Sequence, residues 1–365
     1  MDEPNQLQHL RVQAKSFFLA LNLLKYAPAT IANSPDISNY LFSYHGVSAQ
    51  YPLLVLDFFP RLLVQTQPLF WELRHLYIRG LFILAGFCLY LIIKRVTHSN
   101  FVILIGLMLF LLHPRVSADS FYNIKDSIFL STFVITTYFL FKFIHTPSTK
   151  NIIVLGIMSA ITVNVRMMGV LIPVYFLLYS ILNYNRNFRE IFKTLFIYLS
   201  VFSLTLYLLW PSIWGNPFNI FINNFNLFSR YTTWAGFVLF NGSLISAQKL
   251  PLNYIPTWIF ITSPLAHIFL WCLGLLVFPL KLIRNFKREW LGSPILFSYY
   301  CIVVSYVAII IFKSTLYDSW RHLQYIFPSL IIIGIYGIEV IRTKYKILFY
   351  TLSILILVSL TLSIR

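Results

Sequence analysis

Between residues 258 and 280, and again between 295 and 312, the chain carries no Asp, Glu, Lys or Arg. Stretches of that length approach or exceed the ~20 apolar residues that take a helix across ~30 Å of hydrocarbon, and tilt accommodates the difference. Similar runs recur over residues 76–93, 101–112, 128–141, 152–163, 170–182, 191–209, 323–341 and 347–364, giving about ten candidate spans. Lipid offers the backbone no hydrogen bonds, so segments of this kind are expected to be helices. The fold expected is an all-α polytopic membrane helix bundle of about ten spans with outward-facing loops. Residues 1–75, mixed in polarity, read as a non-spanning outer segment of short amphipathic helices. Residues 76–365 read as the multi-span domain, with one long outer loop at 210–256.

Composition agrees with that reading. Hydrophobic residues make up 58% and charged residues 11% of the 365, so water is not the main solvent. The formal net charge of +17 would suit nucleic acid on a soluble basic module, but no such module is present. The cations instead sit between apolar runs, at Lys94 and Arg95, Lys142 and Lys150, Arg186, Arg189 and Lys193, Lys281 to Arg288, and Arg342 to Lys346. These are alternate loops, and by the positive-inside rule they face the cytoplasm and meet anionic head groups. The N-terminal segment, 113–126, 164–166, 210–256 and 313–321 then face outward, and most carboxylates fall there. Nothing at Met1 resembles a signal peptide or anchor. An outer N-terminal segment therefore requires a preceding span, or insertion of the first apolar run with its N-terminus outward.

Three outer stretches carry candidate chemistry. Asp2-Glu3 offers a carboxylate that accepts a proton from an attacking hydroxyl, or simply a solvated acidic terminus. Residues 113–126 pack His113, Arg115, Asp119, Lys125 and Asp126 at a membrane boundary. Charge there is costly unless paired or facing a wet cavity, and Arg115 and Lys125 suit a phosphate. In 317–322, Arg321 and His322 are phosphate candidates, against the alternative of an aromatic belt with a snorkelling Arg. Arg166 is a further phosphate candidate or a paired structural charge. In the long loop, Trp210, Trp214, Trp234 and Tyr254 would line a sugar or prenyl groove or anchor at the interface, and Asn241-Gly242-Ser243 fits a glycosylation acceptor. Cys88, Cys272 and Cys301 lie within apolar runs and read as small core residues. There is no phosphate-cradling glycine loop, zinc spacing or nucleophile elbow, which argues against a nucleotide-driven pump or serine hydrolase.

Taken in order, Asp2-Glu3-Pro4, Arg74-His75-Leu76, His113-Pro114-Arg115 through Lys125-Asp126, Asn164 to Gly169, Leu209-Trp210-Pro211 with Asn216-Pro217, Tyr254 through Pro264 and Asp318 through Pro328 resemble glycosyltransferase family 39 of the GT-C superfamily. The chain departs from that pattern at Asp119, Ile124, Leu252 and Ser319, where His, Pro, Trp and Gly are usual. The resemblance implies inverting sugar transfer from a polyprenyl- or dolichyl-phosphate donor to a glycan, lipid or protein acceptor. It implies Asp2, with Glu3 beside it, as catalytic base and Asp126 as the second acid. Arg115, Lys125, Arg166, Arg321 and His322 would then receive the lipid phosphate. The resemblance names no certain cofactor and leaves a divalent metal ion open, since members differ on metal use. The expected location is a bacterial inner membrane or the endoplasmic reticulum, with the site on the non-cytoplasmic side. A lipid-linked-sugar flippase or other transporter is the competing class, although such sites lie near the midplane at repeat interfaces and no repeat is evident. A non-catalytic scaffold is a third.

Overall fold

The computed structural model describes residues 3–37, 46–58, 67–182, 188–230, 236–284 and 287–364. It is an α-helical bundle built in chain order from α1 (Glu3–Ala20), α2 (Gln67–Ile93), α3 (Asn100–Leu111), α4 (Pro114–Tyr122), α5 (Asp126–His145), α6 (Thr149–Val165), α7 (Leu171–Leu182), α8 (Phe188–Leu209) and α9 (Pro217–Arg230). A hairpin, β1 (Phe237–Phe240) and β2 (Ser243–Ser246), precedes α10 (Tyr254–Thr262), α11 (Leu265–Arg284), α12 (Pro294–Phe312), α13 (Phe327–Lys344) and α14 (Lys346–Ile364). Every apolar run read from the sequence is mainly helical. Among the described residues, six helices are long and apolar enough to cross a bilayer, or seven if α3 and α4, bent by 58°, form one broken span; α6, α7 and part of α14 are shorter apolar helices. The protein is an integral, multi-pass membrane protein.

Local sequence explains where these helices start and stop. Ser99, Ser148 and Ser293 cap α3, α6 and α12, each side chain accepting from a backbone N–H in the first turn. Pro114 and Pro294 sit in first turns, where the missing N–H costs nothing. Ser263 is extended before Pro264, as the residue before proline prefers, so the run at 258–280 is two helices rather than one span. Two further boundaries differ from the sequence reading. The helix expected from residue 76 begins at Gln67, within the segment assigned to the outer face. The loop expected at 210–256 contains α9 and the hairpin, whose turn is Asn241-Gly242 with φ of 49° and 78°. Two positive φ values are what a two-residue hairpin turn demands, and Asn-Gly supplies them.

The bundle core is formed by α5 and α13, whose apolar windows are 78% and 89% buried. Helix α13 packs so closely on α11 that a Cβ on Gly274 would collide with the Ile333 carbonyl. Antiparallel alternation brings the ends of α4, α6 and α12 and the starts of α5, α7 and α13 together at one end. The other end gathers Thr97, Lys281, Trp290 and Glu339.

Candidate functional site

Asp126 opens α5, and local hydrogen bonds from Asn123 hold it in place. The Asn123 side chain accepts from the Lys125 and Asp126 backbone N–H groups (3.2 and 2.9 Å) and donates to Asp126 Oδ2 (3.1 Å). The carboxylate is then closed by two guanidiniums from remote elements. Arg166, just past α6, donates through Nη2 to Oδ1, and Arg321 donates through Nε to Oδ2 at 2.5 Å. Arg321 also reaches Asp318 (Nη1 to Oδ2, 3.3 Å), and Arg115 of α4 donates to both the side chain and the carbonyl of Asp318 (3.0 and 3.1 Å).

The result is an alternating chain, Arg166–Asp126–Arg321–Asp318–Arg115. Asp126 is only 3% exposed, and a lone carboxylate there would carry a large desolvation penalty, which the flanking guanidiniums offset. Three guanidiniums against two carboxylates leave one positive charge in the chain, and adjacent Lys125 adds a second. That balance suits a phosphate.

The 317–322 turn is locked by its own shape. Asp318 and Ser319 both occupy the left-handed region, at φ of 56° and 59°, a conformation costly for non-glycine residues. Trp320 is buried beneath and donates to Thr262 Oγ1 (2.8 Å). Buried Asp119, on α4, accepts from Tyr122 (3.0 Å) and from the Gln324 amide, tying the following 3₁₀ turn (Arg321–Ile326) to α4. Burial pushes the phenol of nearby Tyr254 above its ordinary range.

Beside this cluster opens a cavity of about 440 Å³. Lys125, Arg166 and His322 line one end, and the His322 ring packs edge-on to Tyr317 at 4.5 Å. The remaining wall is largely apolar, with Leu171 and Val174 from α7 facing Tyr300, Val304, Ala308, Ile309 and Phe312 from α12. From Tyr300 to Phe312 the wall follows α12 for roughly 18 Å, deep into the spanning part of the helix. A pocket with a cationic end and a long apolar side fits an amphiphile with an anionic head.

Of the residues singled out from the sequence, Asp126, Arg166 and Arg321 meet directly, and Lys125 and His322 stand with Arg166 on the cavity wall. Arg115 joins through Asp318. Asp2 and the Glu3 side chain lie outside the described residues. The segment they precede docks at this same end, because Gly46 N–H donates to the Asn164 carbonyl (3.1 Å) and Ser48 N–H to Asn164 Oδ1 (2.8 Å). Asp57, buried in that segment, accepts from Arg11 Nε (2.8 Å) and Thr30 (3.0 Å). Sequence reasoning gave no role to Asp318 or Asn123, although both stand in stretches it marked. It also missed the cavity wall of α12, which has no polar signal. Among the described residues, no group of three His, Cys, Asp or Glu side chains gathers to hold a metal ion. Cys88 and Cys301 are buried and Cys272 half-buried, all as free thiols.

Residues 79–214 match the family model described as dolichyl-phosphate-mannose-protein mannosyltransferase. The matched segment contains Arg115, Lys125, Asp126 and Arg166 and ends before the 317–322 turn. Neither the curated proteins nor the solved structures yielded a match. The family match indicates a membrane glycosyltransferase of the mannosyltransferase type.

Proposed function

We propose that this membrane glycosyltransferase takes its sugar from a polyprenyl- or dolichyl-phosphate donor held in the cavity between α7 and α12. The observation that carries the reading is the placement of Lys125, Arg166 and His322 at one end of an otherwise apolar cavity. The isoprenoid tail lies against Val304, Ala308 and Phe312, and the phosphate meets the cations. The acceptor hydroxyl attacks the anomeric carbon from the opposite face while the bond from that carbon to the phosphate oxygen breaks. The lipid phosphate departs with the bonding electrons, and the configuration inverts. Asp2, with Glu3 beside it, takes the proton from the attacking hydroxyl. Lys125, Arg166 and Arg321 stabilise the charge growing on the leaving phosphate.

Asp126 is assigned a positioning role in this scheme. Its carboxylate already accepts from Arg166, Arg321 and Asn123, so it orients the guanidiniums rather than competing for a proton. The non-cytoplasmic face is supported as the location of the site because the exposed Lys and Arg clusters lie at the opposite end.

The test is transfer from a panel of radiolabelled polyprenyl-phosphate sugars to glycan, lipid and protein acceptors, in membranes containing the protein and its Asp2→Asn and Lys125→Gln variants. Transfer from one donor, lost in the first variant and weakened in the second, is the expected result. Donor movement between leaflets without transfer would replace this reading with a flippase.

A further inference from the structure

Helix α9 has three faces, and the fold covers only one of them fully. Ile220 and Phe221 pack on the cluster around Trp210 and Ile213, and Asn224 is buried on the same side. Phe218, Ile222 and Phe225, spaced i, i+4, i+7, form a second stripe that is 81%, 54% and 39% exposed. Asn219, Asn223 and Asn226 repeat that spacing one residue later, giving an exposed stripe of neutral amides. A helix wholly in water has no reason to separate its exposed surface into a Phe/Ile stripe and an Asn stripe. A helix lying at a boundary between oil and water does.

We propose that α9 lies in the plane of the membrane interface, with Phe218, Ile222 and Phe225 in the acyl region of the leaflet and the asparagines among head groups. The occupant of the exposed stripe is lipid, because that stripe is continuous with surface already facing lipid. Phe225 meets Phe312 edge-on at 5.9 Å at the end of the spanning helix α12, where Ile310 and Ile311 are also exposed. The hairpin that follows α9 in sequence has an apolar outer face too, formed by Phe237, Leu239 and Leu244. Phe225 additionally lines the cavity, so α9 forms its border on the lipid side. If the cavity takes a lipid-linked donor, as proposed above, that donor slides in from the bilayer beneath α9 and past Phe225 rather than through water.

The experiment places a nitroxide at Ile222→Cys and, separately, at Asn223→Cys in the full protein in lipid nanodiscs, and reads collision with oxygen against a water-soluble nickel complex. Wild type labelled in parallel measures background from Cys88, Cys272 and Cys301. The depth parameter is expected to be positive at 222 and to shift negative at 223. Nickel access at both positions would overturn the proposal in favour of a water-exposed helix. Exclusion of both reagents at both positions would overturn it in favour of a protein partner. If either variant misfolds, Phe218→Cys and Asn219→Cys one turn earlier give the same comparison. The readout does not involve sugar transfer, so the depth pattern stands or falls independently of the donor assignment.

Discussion

At the end of the bundle that carries Asp126, three arginines and two aspartates alternate in a partly buried chain, whereas the opposite end keeps Lys94, Arg95, Lys150, Lys281, Arg284, Lys287 and Lys344 exposed. That opposite end has carboxylates as well, and Glu339 pairs with Arg342 at 2.7 Å and accepts from Thr97. Residue type does not distinguish the two ends; burial and partners do. Exposed cations cost little and suffice to orient a membrane protein and meet head groups. Buried ones persist only where carboxylates offset their desolvation, and a cluster with cations in excess is a prepared site for an anion.

The strongest way to break this contrast is to remove its centre. Asp126→Ala leaves Arg166 without the carboxylate it pairs with and Arg321 with Asp318 alone, and loss of one partner of a buried pair costs about 3–5 kcal/mol. Thermal unfolding in detergent is expected to shift down sharply, and transfer to disappear. Asp126→Asn keeps the volume and serves as the sharper probe, since it should lose transfer with a smaller loss of stability. Wild-type turnover in both variants would show that the charge chain has no part in function.

A smaller effect is expected at the cavity wall. Lys125→Gln removes a charge that the Asp126 contacts do not require, so the unfolding temperature should hold. One charge-assisted contact to a phosphate is worth about 1.5–3 kcal/mol, so the KM for the donor should rise roughly tenfold to a hundredfold. An unchanged KM would mean that the phosphate does not sit there. Ala308→Phe fills the apolar part of the same cavity, and with overpacking typically costing about 1–3 kcal/mol it should weaken long-tailed donors by roughly tenfold. Donors with a truncated tail should be spared. Equal loss for both would point to distortion of α12 instead of exclusion of the tail.

How much of this was legible in the sequence follows from what each feature depends on. Apolar runs are local, and each one is mainly helical, because lipid leaves the backbone no other way to satisfy itself. The break at Ser263-Pro264 was signalled by proline but hidden by the hydrophobicity on both sides. The site is a different matter. Arg166 and Arg321 stand 40 and 195 residues from Asp126, and nothing in their local sequence states which carboxylate each will meet. Ala308 and Val304 look like any residues of a spanning helix, and only the gap opposite α7 makes them a wall. Helix α9 was read as loop because its asparagines dilute the apolar signal, although the i, i+4, i+7 spacing of Phe218, Ile222 and Phe225 was present.

The least effect is expected at the far end, and there the contrast can be sharpened rather than broken. Glu339→Gln removes the carboxylate that Arg342 and Thr97 share. Arg342 remains half-exposed and can be hydrated, so the pair resembles a surface ion pair, worth about 1 kcal/mol or less. The unfolding temperature should move slightly, less at high salt than at low, and the KM and turnover for the donor should match wild type. A fall in transfer comparable to that of Lys125→Gln would mean that the two ends communicate through α13, the helix joining Glu339 to the turn that carries Arg321 and His322. Wild-type kinetics would leave the opposite end with orientation as its task and the buried chain with the chemistry.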